Sequence, residues 1–392
     1  MKKFSRCLIA LSFYFVLNSS IFANRWTPEM MIQYQRLSST AISEDGKFIA
    51  YEISTPILES EKSEFHSQIW LLSTYDESRF QLTQGKTSSS QPKFSPDNKW
   101  LGFLSARGEK KTRQLFIISV SGGESIQITD VASSVNRFDW SPDAMKIAFT
   151  MADPETDDDK KRKKEKRDWK IVDEDYKYNH LYVVNIEDIE KPRQLTKGDL
   201  NVGSFDWSPD GAKIVYDHTE IPTANSSSTS NISIVGLASG SSRVIVDWGG
   251  FDASPKFSND GKRIAFVSDG DNPSWGREHY VYTASSSGVR KKKLQPTPSK
   301  YVNAIEGWSP DDSYIIVQEA NKTSRRYFYV PSSVGGSVSA ITIGPGNFSN
   351  LSYNQFGQMV FVHEQLNVPA NVFTTNMGEF KPQRLTNMNP SF

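Results

Sequence analysis

One phrase recurs along this chain and limits what it can become: an aromatic or aliphatic residue, then Ser-Pro-Asp-Gly or a close variant, then an alternating apolar run. The copies begin at Ile42-Ser43-Glu44-Asp45-Gly46, Phe94-Ser95-Pro96-Asp97-Asn98, Trp140-Ser141-Pro142-Asp143, Trp207-Ser208-Pro209-Asp210-Gly211, Phe257-Ser258-Asn259-Asp260-Gly261 and Trp308-Ser309-Pro310-Asp311-Asp312. A degenerate seventh is Tyr353-Asn354-Gln355-Phe356-Gly357. Ser and Asp side chains accept local backbone N–H groups, Pro presets φ, and Gly or Asn tolerates positive φ, so each phrase is a hairpin corner. Turn serines such as Ser95 and Ser208 therefore read as structural and not as nucleophiles.

Each phrase follows one strand and opens a second. A further β-rich run comes next, as in Gln114 to Val120 or Arg325 to Val330, and then a short strand such as Gln127-Ile128-Thr129 or Gln194-Leu195-Thr196. Four strands per repeat, seven times over, predict an all-β fold, a seven-bladed β-propeller with four-stranded blades. Between equivalent phrase positions the spacings are 52, 46, 67, 50, 51 and 45 residues. The long interval contains Asp157-Asp158-Asp159 followed by Lys160-Lys161-Arg162-Lys163-Lys164, and residues 153–175 read as a charged, solvated insertion loop.

Ahead of the first phrase, Lys2, Lys3 and Arg6 precede an apolar stretch from Cys7 to Leu17, and Ala23 is a small residue at a cleavage point. Residues 1–23 read as a secretory signal peptide, too short in its apolar part for a spanning helix. Export, to the periplasm, is the expected location. The expected domains are then the signal peptide at 1–23, a helical segment at 24–39 and the propeller at 40–392. In the helical segment Thr27 caps, Pro28 starts the helix, and Met30, Met31, Tyr34 and Leu37 share one face that calls for a partner surface.

The chain has 45 basic and 45 acidic residues among 392, and cleavage of the leader leaves 42 against 45. Near-neutrality gives no reason to expect nucleic acid, and no membrane association is expected once the leader is cleaved. The one cysteine, Cys7, lies in the leader, so the mature protein is expected to contain no thiol or disulfide.

No G-x-S-x-G, phosphate loop, H-E-x-x-H or C-x-x-C occurs. His66, His180, His218, His279 and His363 fall in different repeats without ligand spacing. A carboxylate-bound cation in the central channel is not expected, because no acidic pair is seen to recur at channel-facing positions. Catalytic, cofactor-binding and metal-binding residues are therefore all expected to be none, and no cofactor is expected.

Three features together resemble the propeller half of the S9 prolyl oligopeptidase family, in its dipeptidyl-peptidase and acylaminoacyl-peptidase branch. They are Thr27-Pro28-Glu29, Ile42-Ser43-Glu44-Asp45-Gly46-Lys47, and Val172-Asp173-Glu174-Asp175-Tyr176-Lys177-Tyr178-Asn179-His180-Leu181-Tyr182 after the charged insertion. The resemblance implies a propeller that covers the active site of an α/β-hydrolase domain, admits small peptides and helps hold the substrate's N-terminal end. It covers the propeller alone, and the sequence stops at Phe392, where the seventh blade should end. The expectation is thus a substrate-gating propeller of an exported serine peptidase, truncated before its hydrolase domain and inert alone. The alternative is a stand-alone, TolB-like periplasmic propeller acting as a binding or scaffold module.

Overall fold

In the computed structural model, residues 27–59, 62–167, 169, 174–189, 191–270, 278–333 and 335–390 are described. The expected signal peptide lies outside them, as do Asn24 to Trp26, Val172 and Asp173. The described residues form seven four-stranded antiparallel sheets, each built from four consecutive strands. The blades span residues 36–81, 89–127, 135–194, 201–246, 252–293, 302–340 and 347–384. Strands are named A to D here in chain order, A lining the centre of the ring and D its rim.

The phrase closes every A–B hairpin as expected. In six copies the Ser Oγ accepts the N–H five residues on, at 3.0 Å in Phe48 and 2.9 Å in Lys213 and Tyr314. The same hydroxyl donates to the phrase Asp, at 2.6 Å for Ser95–Asp97, Ser208–Asp210 and Ser309–Asp311. The fifth phrase residue has positive φ in all seven copies, including Asn98, Ala144 and Asp312, where a side chain is strained.

In four blades the aromatic before the turn ties the blade to the one before it. The indole N–H of Trp140 donates to Lys93 O at 3.1 Å, that of Trp207 to Asp139 O at 3.3 Å and that of Trp308 to Lys256 O at 3.1 Å. Tyr353 repeats this through its hydroxyl to Trp308 O at 3.1 Å. Apolar layers fill the spaces between blades; Val135, Phe138, Ile147 and Phe149 of blade 3 pack with Leu115 and Ile117 of blade 2. A second recurring device locks strand D to strand C: Thr83, Thr129, Thr196, Thr342 and Thr386 each accept a buried strand-C N–H through Oγ1, at 2.9–3.0 Å.

No blade among the described residues shares a strand between the two ends of the chain. Blade 7 meets blade 1 by packing and by side-chain bonds, such as Ile42 N to Ser352 Oγ at 3.2 Å and Asn354 Nδ2 to Ser43 O at 3.4 Å. Because the strands alternate, the phrase turns lie on one face, the turn face. The B–C loops, both chain ends and the charged insertion lie on the other, the loop face. Gln35 and Asn389 pin those ends together, N–H to Oδ1 at 2.9 Å and Nδ2 to carbonyl at 2.8 Å.

Two expectations need correction. The helix at 24–39 is only Pro28–Gln33 among the described residues, and blade 1 begins earlier than residue 40, with strand Arg36–Ile42. The apolar period misled because Leu37, one turn after Tyr34 in a helical count, also fits an outgoing strand. The insertion is not wholly loop: Asp157–Lys164 is a helix with a Thr156–Asp159 capping box, no buried residue and ion pairs from Arg162 to Asp158, Asp159 and Asp175.

Candidate functional site: a charged central channel

Strands A from all seven blades line a central cavity of about 860 Å³, and a further 640 Å³ opens at the turn face. The residue just before the phrase aromatic faces the channel in blades 2 to 5: Lys93 and Asp139 line the central cavity, Asp206 the turn-face cavity, and Lys256 both. In blade 6 strand A carries a register shift between Ile305 and Gly307, and the extra residue, Glu306, lines the cavity instead. Ala41 and Ser352, at the corresponding places in blades 1 and 7, carry no charge and line it too. Five of the seven positions are therefore charged, and the two neutral ones are adjacent, in blades 7 and 1.

This corrects the expectation that acids do not recur along the channel. Asp139 and Asp206 hold the same place in successive blades, each immediately before a phrase tryptophan. Aligning the phrases and reading one residue upstream was the signal that would have found them. Both are paired across a blade boundary, Lys93 to Asp139 and Lys256 to Asp206, each at 2.9 Å. Burial works against Asp139 ionising, yet the Lys93 and Lys256 charges outweigh it and hold the carboxyl below its usual range. Burial dominates at Asp206 and raises it, with Lys256 opposing. Lys256 is raised, since Asp206, Asp139 and Glu306 overcome the desolvation that would lower it. Glu306 makes no ion pair among the described residues, and burial pushes it up to about 7 against the pull of Lys256. Glu44, at the same mouth, is also raised by burial and accepts the Gln355 N–H at 3.3 Å.

Two other acids near the channel are structural. Glu52 accepts the N–H of Gln91 at 3.2 Å, and Asp217 accepts those of Ser204 at 3.0 Å and Ser254 at 2.9 Å. Gln91 and Ser254 have positive φ at bulges in strand A, so these carboxylates satisfy donors that the ladder leaves free. Among the described residues no three His, Cys, Asp or Glu side chains are grouped to hold a metal ion.

The histidines are dispersed. His180 and His218 are buried in blades 3 and 4, against Thr196 at 3.3 Å and Ser233 at 2.8 Å, and burial lowers both, His218 to about 4. His279 stacks between Phe251 and Tyr301, His363 on Phe348, and His66 contacts Gln68. Ser95 and Ser208 are buried, with their hydroxyls engaged in the turns described above.

No family model matches the chain. A dipeptidyl-peptidase 5 from Porphyromonas gingivalis is 25% identical over 394 aligned residues, which cover 92% of this chain and 55% of that protein. The similarity to that dipeptidyl-peptidase runs along most of this chain. The chain thus spans about half the length of that relative, and 31% of a second, an uncharacterised peptidase of Bacillus subtilis that is 30% identical over 206 residues. Among solved structures, an acylaminoacyl peptidase bound to a chloromethyl ketone superposes with a TM-score of 0.72 at 16% identity, over 93% of this chain and 55% of that one. The β-propeller domain of the trilobed protease from Pyrococcus furiosus superposes at 0.66 with 15% identity, over 91% of this chain and 97% of that one. At such identities the structures establish the fold alone, a seven-bladed β-propeller.

Proposed function

We propose that this chain is the substrate-gating propeller of an exported, periplasmic S9-type serine peptidase, working with an α/β-hydrolase domain that supplies the catalytic serine. The observation that carries the reading is the polar channel through a complete seven-bladed ring, in a chain similar to a dipeptidyl-peptidase over most of its length. A channel of this kind passes flexible peptides and excludes folded protein.

The loop face supports the same partner. Met31 and Ile32 of the N-terminal helix, Leu58 and Phe65 of the long blade 1 hairpin and Leu366 of blade 7 are exposed there. The helix is already anchored to blade 7, since the Ala370 N–H donates to the Tyr34 hydroxyl at 3.2 Å. An apolar patch beside both chain ends suits a domain that continues the chain. The basic and apolar opening of the sequence supports export.

The test is a fusion of residues 24–392 to the hydrolase domain of the Porphyromonas gingivalis dipeptidyl-peptidase. Cleavage of a dipeptidyl amide with sparing of folded protein is expected. A fusion that digests folded protein as fast as the isolated hydrolase domain would overturn the gating role.

A further inference from the structure

The seven turns act as internal controls for one another, and the groove between blades 6 and 7 departs from the rest. In blades 1, 2, 3 and 5 the phrase aspartate is neutralised by a nearby lysine: Asp45–Lys47 and Asp97–Lys99 at 3.0 Å, Asp143–Lys146 at 3.3 Å and Asp260–Lys262 at 3.6 Å. In blade 4 Ala212 stands at the place of Lys47, Lys99 and Lys262, and Asp210 makes no ion pair among the described residues; in blade 6 that place is held by Ser313, followed by Tyr314, and Asp311 accepts hydrogen bonds from Ser309 and Ser313. In blade 7 the aspartate itself is replaced by Phe356, whose side chain is 70% exposed.

These changes border one cavity of about 680 Å³ walled by Tyr314, Tyr329, Ile343, Phe356, Met377 and Phe380. Ile343 is 64% exposed, and Tyr314 and Tyr329 stand 5.5 Å apart. Among the described residues the charged groups lining it are carboxylates, Asp311 and Glu379, and none is basic. Glu379 pairs with Lys381, so Asp311 is the charge without a counterion. Three serine-borne hydrogen bonds hold its pKa at about 2, and it stays ionised.

An apolar wall beside an uncompensated carboxylate is complementary to a ligand that joins apolar side chains to a cation, and the tyrosine and phenylalanine faces favour the same charge. The groove lies on the turn face, whereas both described chain ends leave from the loop face, so a domain continuing the chain attaches on the other side. It also runs into the channel mouth, since Pro310 and Gln355 line both. We propose that this groove docks an extended polypeptide segment carrying apolar side chains and a cationic group, and delivers it to the turn-face mouth of the channel. Delivery rests on the gating role above; docking does not.

The probes are fluorescein-labelled hexapeptides blocked at both ends, alternating Lys with Leu and Phe, and a counterpart with Glu for Lys. They are titrated against the full chain and against F356D, S313K and the double variant. Both substitutions install residues that other blades carry at those positions, so the ring should hold; I343S, an exposed change, is the second route if the double variant does not fold. The lysine peptide should bind the wild type and lose at least tenfold in affinity to the double variant, with little binding of the glutamate peptide. Equal affinity for wild type and double variant, or for both peptides, would overturn the proposal. So would a wild-type dimer that F356D dissolves without any peptide binding, which would make the groove a contact between copies. Loss of gating in the fusion with peptide binding intact refutes the gating role alone, and the reverse result refutes the groove alone.

Discussion

Glu306 gives the sharpest quantitative test of the channel, because its carboxyl is carried into the ring by a bulge and meets no dedicated partner. Its pKa rises from an ordinary 4.5 to about 7, burial being the cause and Lys256 the opposing charge. Such a displacement corresponds to about 3 kcal/mol between protonation states, and water in the channel reduces it to roughly 1–3 kcal/mol. A folded-state value above the unfolded one means the native protein binds the proton more tightly. Native stability is therefore unaffected by this group below about pH 4.5, falls as pH rises toward 7, and is lower by the full amount above that. Glu306→Gln removes the ionisation. Asp206, Asp139, Glu44 and Lys256, which share the channel, titrate in both proteins and largely cancel in the difference. The variant should match wild type at pH 4.5–5 and exceed it by 1–3 kcal/mol at pH 8.5. At about 2.1 cal/mol/K per residue, that is a rise of roughly 1–4 °C in Tm for a propeller unfolding as one unit. Paired melts at the two pH values read it directly. A difference of the same size at both, or a variant less stable at pH 8.5, would refute the placement of Glu306 in a desolvated ring.

Three further outcomes follow from the repeat. Thr129→Val removes the acceptor for the buried Leu115 N–H and the donor to Gln114 Oε1, both at 2.9 Å, and should cost about 2–3 kcal/mol in denaturant unfolding with an unchanged m-value, while Thr129→Ser stays close to wild type. Ala144 has φ of 58° where four other phrases have glycine, so Ala144→Gly should stabilise by about 0.5–1 kcal/mol in the same assay, and destabilisation would show that its methyl burial outweighs backbone strain. Replacing residues 155–176 by two glycines should lower Tm by less than about 2 °C, since the helix buries no residue and the Arg162 ion pairs lie within the segment, leaving Lys177–Asp159 as the pair lost across its boundary; a larger fall would mean that the segment packs on the ring.

The ring was legible because each blade restates one hairpin whose chemistry is local. Ser, Asp and a positive-φ residue satisfy the turn from within six positions, so seven copies predict seven hairpins without any knowledge of long-range contacts. The channel ring was legible only in part. Lys93 and Asp139 lie 46 residues apart, and Lys256 and Asp206 lie 50 apart; superposing the phrases brings these positions to one register, one residue before the aromatic. Glu306 escapes that superposition. Strict alternation points Gly307 into the channel and Glu306 away from it, and a one-residue bulge reverses both. Bulge positions depend on what the neighbouring blade offers: Glu52 and Asp217 satisfy the bulged strands of the blades that follow them, which no local pattern encodes.

The same logic separates scaffold from function along the rest of the chain. The phrase serines and most phrase aspartates are bound to their own turn, and the phrase tryptophans to the preceding blade, so selection for the fold accounts for them. Positions that face the channel or the turn tips are free of those duties, and there the blades differ: Ala41, Lys93, Asp139, Asp206, Lys256, Glu306 and Ser352 around one ring, and Phe356 and Ser313 at two adjoining tips. A near-symmetric scaffold that needed only to be stable could carry the same residue at each of these places. The asymmetry instead sets a charged arc over blades 2 to 6 against a neutral one at the closure of blades 7 and 1. Under the proposed gating role, a peptide passing through such a channel would meet walls of different chemistry and so be oriented, which a uniform ring could not do.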